Sequence, residues 1–208
     1  MCSSDLRRSL PTLLRSLSGM LAPLTFLVLL SLILSLTTKN FATRDNIKQI
    51  AIQAAVVAIL ACGQTAVIIS GNIDLSVGSV MAFSGILTAQ AFNLYHVSTP
   101  VGVLISCVAG LGVGAITGVV TAYGKIPAFI VTLGMMGIAQ GTAGILSGSQ
   151  NIGNLPDSFS VFGFGELFGS QGRDGIPYAV IMMICAALLV HIDRKSTRLN
   201  SSHTVISY

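Results

Sequence analysis

Between Lys48 and Lys125 the sequence holds one residue of the type Asp, Glu, Lys or Arg, and it is Asp74. It stands in SGNIDLSVGS, Ser70 to Ser79, between two long apolar runs and framed by Gly71 and Gly78. Gly71 can end a helix, because glycine takes the left-handed backbone without strain. Asp74 can then accept backbone N–H groups at the start of the next helix as its N-cap. Ser76 and Ser79 fall in the first turns beyond it. The stretch therefore reads as a helix break followed by a capped restart.

Other reactive side chains offer less. Ser84, in AFSG, is the one tempting nucleophile, with His96 and His191 as candidate bases. A hydrolase would need Ser and His to face each other from neighbouring helices. Both histidines fall at the ends of apolar runs, where a solvated imidazole is the simpler reading. No Gly-rich loop ending in Gly-Lys-Ser/Thr is present, so the chain is not expected to bind ATP itself. Cys62, Cys107 and Cys185 lie inside apolar runs and Cys2 near the terminus, without metal or disulfide spacing. They read as small packing residues. The expectation is no catalytic residue, no metal and no cofactor.

The elements that must carry these residues follow from composition. Of the 208 residues, 52% are hydrophobic and only 9% charged, and the mean hydropathy is +0.83. Soluble domains carry about a quarter charged residues, so much of this chain must be solvated by lipid. Backbone groups in lipid have to be satisfied internally, by helices or closed barrels. The apolar runs are continuous rather than alternating, which disfavours barrel strands. The expected fold is all-α: a polytopic helical membrane protein with about six spans and one broken or capped joint near residues 70–79. The net charge of +4 is small and gathers at the ends and short loops, with no basic stripe for nucleic acid.

The runs are Met20 to Leu36, Ile50 to Ile69, the residues after Asp74 to about Leu94, Val101 to Tyr123, Ala128 to Leu146, and Pro177 to about His191. The first ends in LSLTTKN without a small-x-small cleavage site, so it reads as an uncleaved span. With the N-terminus inside, Lys125 and Arg194 fall inside as well, while Lys39, Arg44 and Lys48 fall outside, a close tally under the positive-inside rule. Gly110, Gly114 and Gly118 lie four apart, and Gly137, Gly141, Gly144 and Gly148 follow a four-three-four spacing. Each set puts small residues on one helix face, where backbones can approach closely. Packing within the chain is the plain reading; a subunit contact or a solute path is the other. For the joint, two settings fit: a tight turn at the membrane surface, or a helix broken at depth, where irregular backbone lines a cavity or a packed joint.

The segment VIISGNIDLSVGSVMAFSG closely resembles the hallmark of permease subunits of sugar-type ATP-binding-cassette importers, the ribose, xylose and arabinose group. Members commonly read Gly-Gly-Ile-Asp-Leu-Ser-Val-Gly-Ser there, and Asn72 replaces the second Gly. The likeness continues in TAYGKIPAFIVTLGMMGIAQG, where Pro127, Phe129, Thr132 and Gly134 match an Ile-Pro-x-Phe-Ile-x-Thr-Leu-Gly run, and through NLPDSF to GIPYAV. It covers about residues 15 to 192.

The resemblance implies a multi-pass permease of the bacterial inner membrane for a monosaccharide or related small polar solute. Its partners would be a cytoplasmic ATPase, a periplasmic sugar-binding protein and a second permease subunit, with a homodimer expected. Asp74, Leu75, Ser76 and Gly78 carry over from the motif, and Asp74 is expected to hold the joint or a gate rather than grasp sugar. The segment after Leu146, with Asp157, Glu166, Arg173 and Asp174, reads as a solvated loop or as a docking face for the binding protein. An ion-coupled secondary transporter and a non-functional permease fragment are the rival readings. MCSSDL and RKSTRLNSSHTVISY resemble translated adapter read-through, with a genuine cytoplasmic tail as the alternative for the latter. The expected partition is therefore a foreign leader over 1–6, a permease domain over 7–192 and a foreign tail over 193–208, with further family spans and the ATPase-docking segment lying beyond His191.

Overall fold

A computed structural model describes residues 4–169 and 175–201. Its elements run α1 (Ser4–Thr37), α2 (Arg44–Ile69), α3 (Val77–Tyr95), α4 (Thr99–Gly124), α5 (Ala128–Ser147), α6 (Asp157–Phe164), β1 (Glu166–Leu167), β2 (Ile176–Pro177) and α7 (Tyr178–Ser201). The chain divides into two compact units, Met1–Ile50 and Ala51–Tyr208.

In the first unit, three hydroxyls of α1 bond back to its own backbone. Thr25, Ser35 and Thr37 each donate to the carbonyl four residues earlier, at Leu21, Ser31 and Ile33. That satisfies polar groups within the apolar stretch Leu21–Thr37. The turn that follows is closed by Asn46 Nδ2 donating to the Phe41 carbonyl at 2.7 Å.

In the second unit, breaks in the apolar runs are set by the chemistry of a few residues. α3 ends at His96, in the left-handed region at φ 48°. Ser98 then starts α4, whose first turn holds Pro100, a position where the missing proline N–H has no helical partner to lose. Lys125 ends α4 at φ 52°, and Pro127 opens α5. Gly148, at φ 59°, ends α5: its N–H reaches the Ile145 carbonyl while that of Ser149 reaches Gly144, which satisfies carbonyls the helix end leaves open.

What these helices bury is small. The buried hydrophobics among the described residues are Ile52, Ala55, Ala89, Ala91, Phe92, Ala139, Ala143 and Ala179, joined by Ser76, Ser84, Thr88, Thr117 and Thr132. Large aliphatics such as Leu104, Val108, Leu111 and Ile116 of α4 are exposed. This inverts a water-soluble core and matches helices packed in lipid, where small residues make the interfaces. α3 lies against both α4 and α5. α2 and α7 meet at Ile52, Ala55 and Ala179, with Val180 and Met183 against them.

The all-α membrane fold is borne out, but the expected count of about six spans is corrected. Among the described residues, α2, α3, α4 and α5 are long and apolar enough to cross a membrane. The first and sixth runs give the shorter apolar stretches Leu21–Thr37 and Tyr178–Ile192. The stretch after Leu146 is also more ordered than a loop: Asp157 opens α6, and β1 pairs antiparallel with β2, Glu166 facing Pro177. Glu166 Oε2 accepts the Gly175 N–H at 2.9 Å. Arg173 and Asp174 lie outside the described residues, as do 1–3 and 202–208 of the expected foreign ends.

Candidate functional site

The break at SGNIDLSVGS is real, and it is heavily tied. α2 stops at Ile69. Gly71, at φ 79°, donates its N–H to Ile68, and Asn72 donates to Val67: the left-handed glycine closure that the residue types suggest. The Asn72 side chain turns back onto Ser70, with Nδ2 3.3 Å from the carbonyl and 3.2 Å from Oγ. Left-handed backbone in the joint falls on Gly71 and not on Asn72, so the departure from glycine at 72 costs no strain.

Asp74 differs from its expected place. It is not the N-cap of α3; that position belongs to Ser76, whose own side chain makes no capping bond. Asp74 Oδ1 instead accepts both the N–H and the hydroxyl of Ser76, each at 2.7 Å. An Asp side chain bonding two residues ahead mimics a backbone turn, and this one holds the cap residue itself. Two other helices reach into the joint. Gln64 of α2 donates to the Asp74 carbonyl at 2.8 Å. Thr132 of α5, buried, accepts the Leu75 N–H at 3.2 Å, and its hydroxyl lies 3.4 Å from the Ile73 carbonyl and 3.2 Å from that of Phe129. The two family motifs thus meet, Thr132 of the second holding residues 73–75 of the first. Within the second motif, Pro127 caps α5, Phe129 is half exposed and Gly134 faces open space. Gly78 also faces open space, and Ser79 is partly buried in the first turn of α3.

α3 has a rise of about 28 Å at 1.5 Å per residue, close to the roughly 30 Å of a hydrocarbon core. The joint therefore sits at one end of a helix long and apolar enough to cross a membrane. From that end a cleft of about 350 Å³ runs between α2, α3 and α4. Leu60, Asp74, Ser76, Ser84, Gly110 and Thr117 are among its lining residues.

The glycines behave unlike their spacing suggests. A Cβ on Gly110, Gly114, Gly118, Gly137 or Gly141 would meet nothing within 4 Å, and one on Gly144 only Ser149 Oγ at 3.9 Å. Among the described residues these faces do not make the close approach expected of them, and two of the glycines border the cleft. The close approach lies at Gly102, which the spacing did not mark. A Cβ there would overlap the Phe92 ring. Phe92 is itself buried and packs on Phe159 with ring centroids 5.0 Å apart. Beside it, Thr88 Oγ1 is 2.8 Å from the Ser84 carbonyl and 3.3 Å from that of Gly102. Ser84 is buried and donates to Met81 within its own helix, and His96 is exposed at the far end of α3, so the two are not brought together as a catalytic pair.

The family model for the permease component of branched-chain amino acid transport systems matches residues 46–199. The chain belongs to this family of transport permeases. It is 36% identical over 173 residues to the ribose import permease protein RbsC of Escherichia coli (strain K12), covering 81% of this chain and 53% of that protein. It is also 36% identical over 130 residues to the L-arabinose transport system permease protein AraH of the same strain, covering 62% and 39%. Over 148 residues it is 36% identical to that strain's galactofuranose transporter permease protein YtfT, covering 71% and 41%. The chain spans about half the length of the ribose permease and less of the others. No solved structure matches it. The resemblance carried by the two motifs is borne out, and the multi-pass helical membrane architecture fits it.

Proposed function

We propose that this chain is a transmembrane permease subunit of an ATP-driven importer for a monosaccharide or related small polar solute in the bacterial inner membrane. It works by alternating access with a separate cytoplasmic ATPase, a periplasmic binding protein and a second permease subunit, as a homodimer. It performs no chemistry of its own. The observation that carries the reading is the match to sugar permeases over most of the chain. The joint supports it: both motifs of the sugar-permease likeness converge on residues 73–75 through Thr132. A broken segment tied to three helices can transmit a displacement of one helix to the others, which alternating access requires.

The test is a chimera in which residues 15–192 replace the matching segment of the Escherichia coli ribose permease, in cells lacking that permease. Ribose uptake is expected to return and to stop when either the ATPase or the binding protein is deleted. Uptake that survives loss of the ATPase but collapses with the ion gradient would instead establish a secondary transporter. No uptake from a chimera present in the membrane at normal abundance would reject the importer reading.

A further inference from the structure

α6 and the residues just after it leave a cluster of apolar side chains uncovered among the described residues. Four of the nine phenylalanines of the chain fall between 159 and 168. Phe159 packs inward on Phe92, with ring centroids 5.0 Å apart. Val161, Phe162, Phe164 and Phe168 are exposed, Phe164 by 66% and Phe168 by 84%. The run SFSVFGFG, 158–165, holds no Asp, Glu, Lys or Arg. Carboxylates bound it: Asp157 opens α6, and Glu166 follows, its Oε2 accepting the Gly175 N–H.

What lies against these side chains follows from where α6 is held. Residues 96–98 join α3 to α4, two helices long and apolar enough to cross a membrane. Irregular backbone of that kind stays out of the hydrocarbon region, so the turn sits at one membrane surface. α6 is tied to this end of the pair. The Thr99 and Ser158 hydroxyls hydrogen-bond to each other, Asn93 Nδ2 donates to the Gly153 carbonyl at 3.1 Å, and Phe92 takes the Phe159 ring. Tyr95, 77% exposed at the same end, is a residue type that collects at the boundary of lipid and water. The exposed rings of 162–168 therefore stand at the level of a bilayer surface, beside the exposed Leu94, Val101 and Leu104 of the same helix pair.

We propose that the segment 158–168 is an interfacial anchor, inserting Phe162, Phe164 and Phe168 among the lipid headgroups and upper acyl chains. Apolar faces of this kind lie in the plane of the interface, buried about 5–10 Å into the boundary. The uncharged run is the part that enters lipid, and the carboxylates at its two ends return the chain to water. The inference needs only the helical membrane fold and goes beyond the importer reading. It places lipid where a soluble partner would otherwise dock.

The chain has no tryptophan, so a single introduced one reports its own surroundings. Phe162→Trp, Phe164→Trp and Leu111→Trp are made one at a time in the full chain and placed in phosphatidylcholine nanodiscs. The lipid carries bromine either high on one acyl chain, at carbons 6 and 7, or deep, at carbons 11 and 12. Leu111, exposed near the middle of α4, is the deep reference, and free N-acetyltryptophanamide is the water reference. At 162 and 164 the shallow bromines are expected to quench at least twofold more than the deep ones, with the order reversed at 111. Iodide in the buffer is expected to quench 162 and 164 at least fivefold less than the water reference. Helicity by circular dichroism accompanies each variant, and Phe168→Trp, beyond the end of α6, supplies the same reading without altering that helix. Iodide quenching near the water reference with no effect of bromine would overturn the proposal and leave a solvated face open to a soluble partner. Shielding from both quenchers would overturn it in favour of a protein cover, such as a second copy of the chain. A preference for deep bromines like that of Leu111→Trp would overturn it by placing the segment inside the hydrocarbon. None of these outcomes bears on the chimera test, which reads transport and not depth.

Discussion

The α3 and α4 pair is closed at one end and parted at the other. Near the His96 turn, Phe92 lies over Gly102 and Thr88 reaches the Gly102 carbonyl. Toward the joint, the same helices stand apart around a cleft that reaches Asp74 and Thr117. Both ends carry glycine, yet only Gly102 admits a neighbour; Gly110 and Gly114 face open space. A glycine therefore does two opposite things in one helix. At 102 it lets a ring approach and pins the pair. At 110 and 114 it withholds a side chain and leaves a hollow. Spacing cannot tell these apart, because what decides is the residue across the gap.

The largest expected effect is at the pinned end. Gly102→Ala pushes a methyl into a ring that is itself buried against Phe159, and overpacking of this kind costs about 1–3 kcal/mol. Reversible unfolding in bicelles should show that loss, with a double change to Gly102→Ala and Phe92→Leu recovering at least half. A full-sized loss that Phe92→Leu leaves untouched would place the strain elsewhere.

Next comes the clasp on the joint. Thr132→Val removes the acceptor for the Leu75 N–H and the hydroxyl near the Ile73 carbonyl. A hydrogen bond of this kind, partly buried, contributes about 0.5–1.5 kcal/mol. Amide hydrogen exchange at residues 73–76 should accelerate severalfold, while Thr132→Ser retains protection. Unchanged exchange in the valine variant would show that the joint does not depend on this bond.

The smallest effect belongs to the open end. Gly114→Ala adds a methyl where nothing stands within 4 Å, and such sites change stability by less than about 0.5 kcal/mol. A loss of stability matching that of Gly102→Ala would erase the contrast between the two ends.

Much of the fold was legible because lipid permits few solutions. The expected runs fall within the helices to a few residues, and Gly71 and Asp74 announced the break by residue type. The register of the cap was not legible. Asp74 and Ser76 are both good capping residues, and the choice between them turns on the Leu75 N–H being taken by Thr132 from another helix. Gly102 was hidden for a similar reason, since its meaning depends on Phe92 and Phe159. The packing faces of α3 and α5 are built from Ala89, Ala91, Ala139 and Ala143, and alanine in an apolar run carries no mark of which side it faces. Nor did the Gly-rich segment after Leu146 betray α6 or the short ladder, because its glycines suggest turns and nothing in its spacing repeats.

The parting of α3 from α4 is tested most directly by thiol accessibility along the two helices. The native cysteines are replaced, single cysteines are placed at Val113, Leu111 and Ala91 in turn, and their reaction with a charged, water-soluble methanethiosulfonate is timed in lipid nanodiscs. Val113 lines the cleft, Leu111 is 73% exposed on the apolar surface of α4, and Ala91 is buried beside Phe92. The account predicts that Val113→Cys reacts at least tenfold faster than either of the others, because only the cleft is both open and wet. Equal rates at Val113 and Leu111, or a slower rate at Val113, would contradict it.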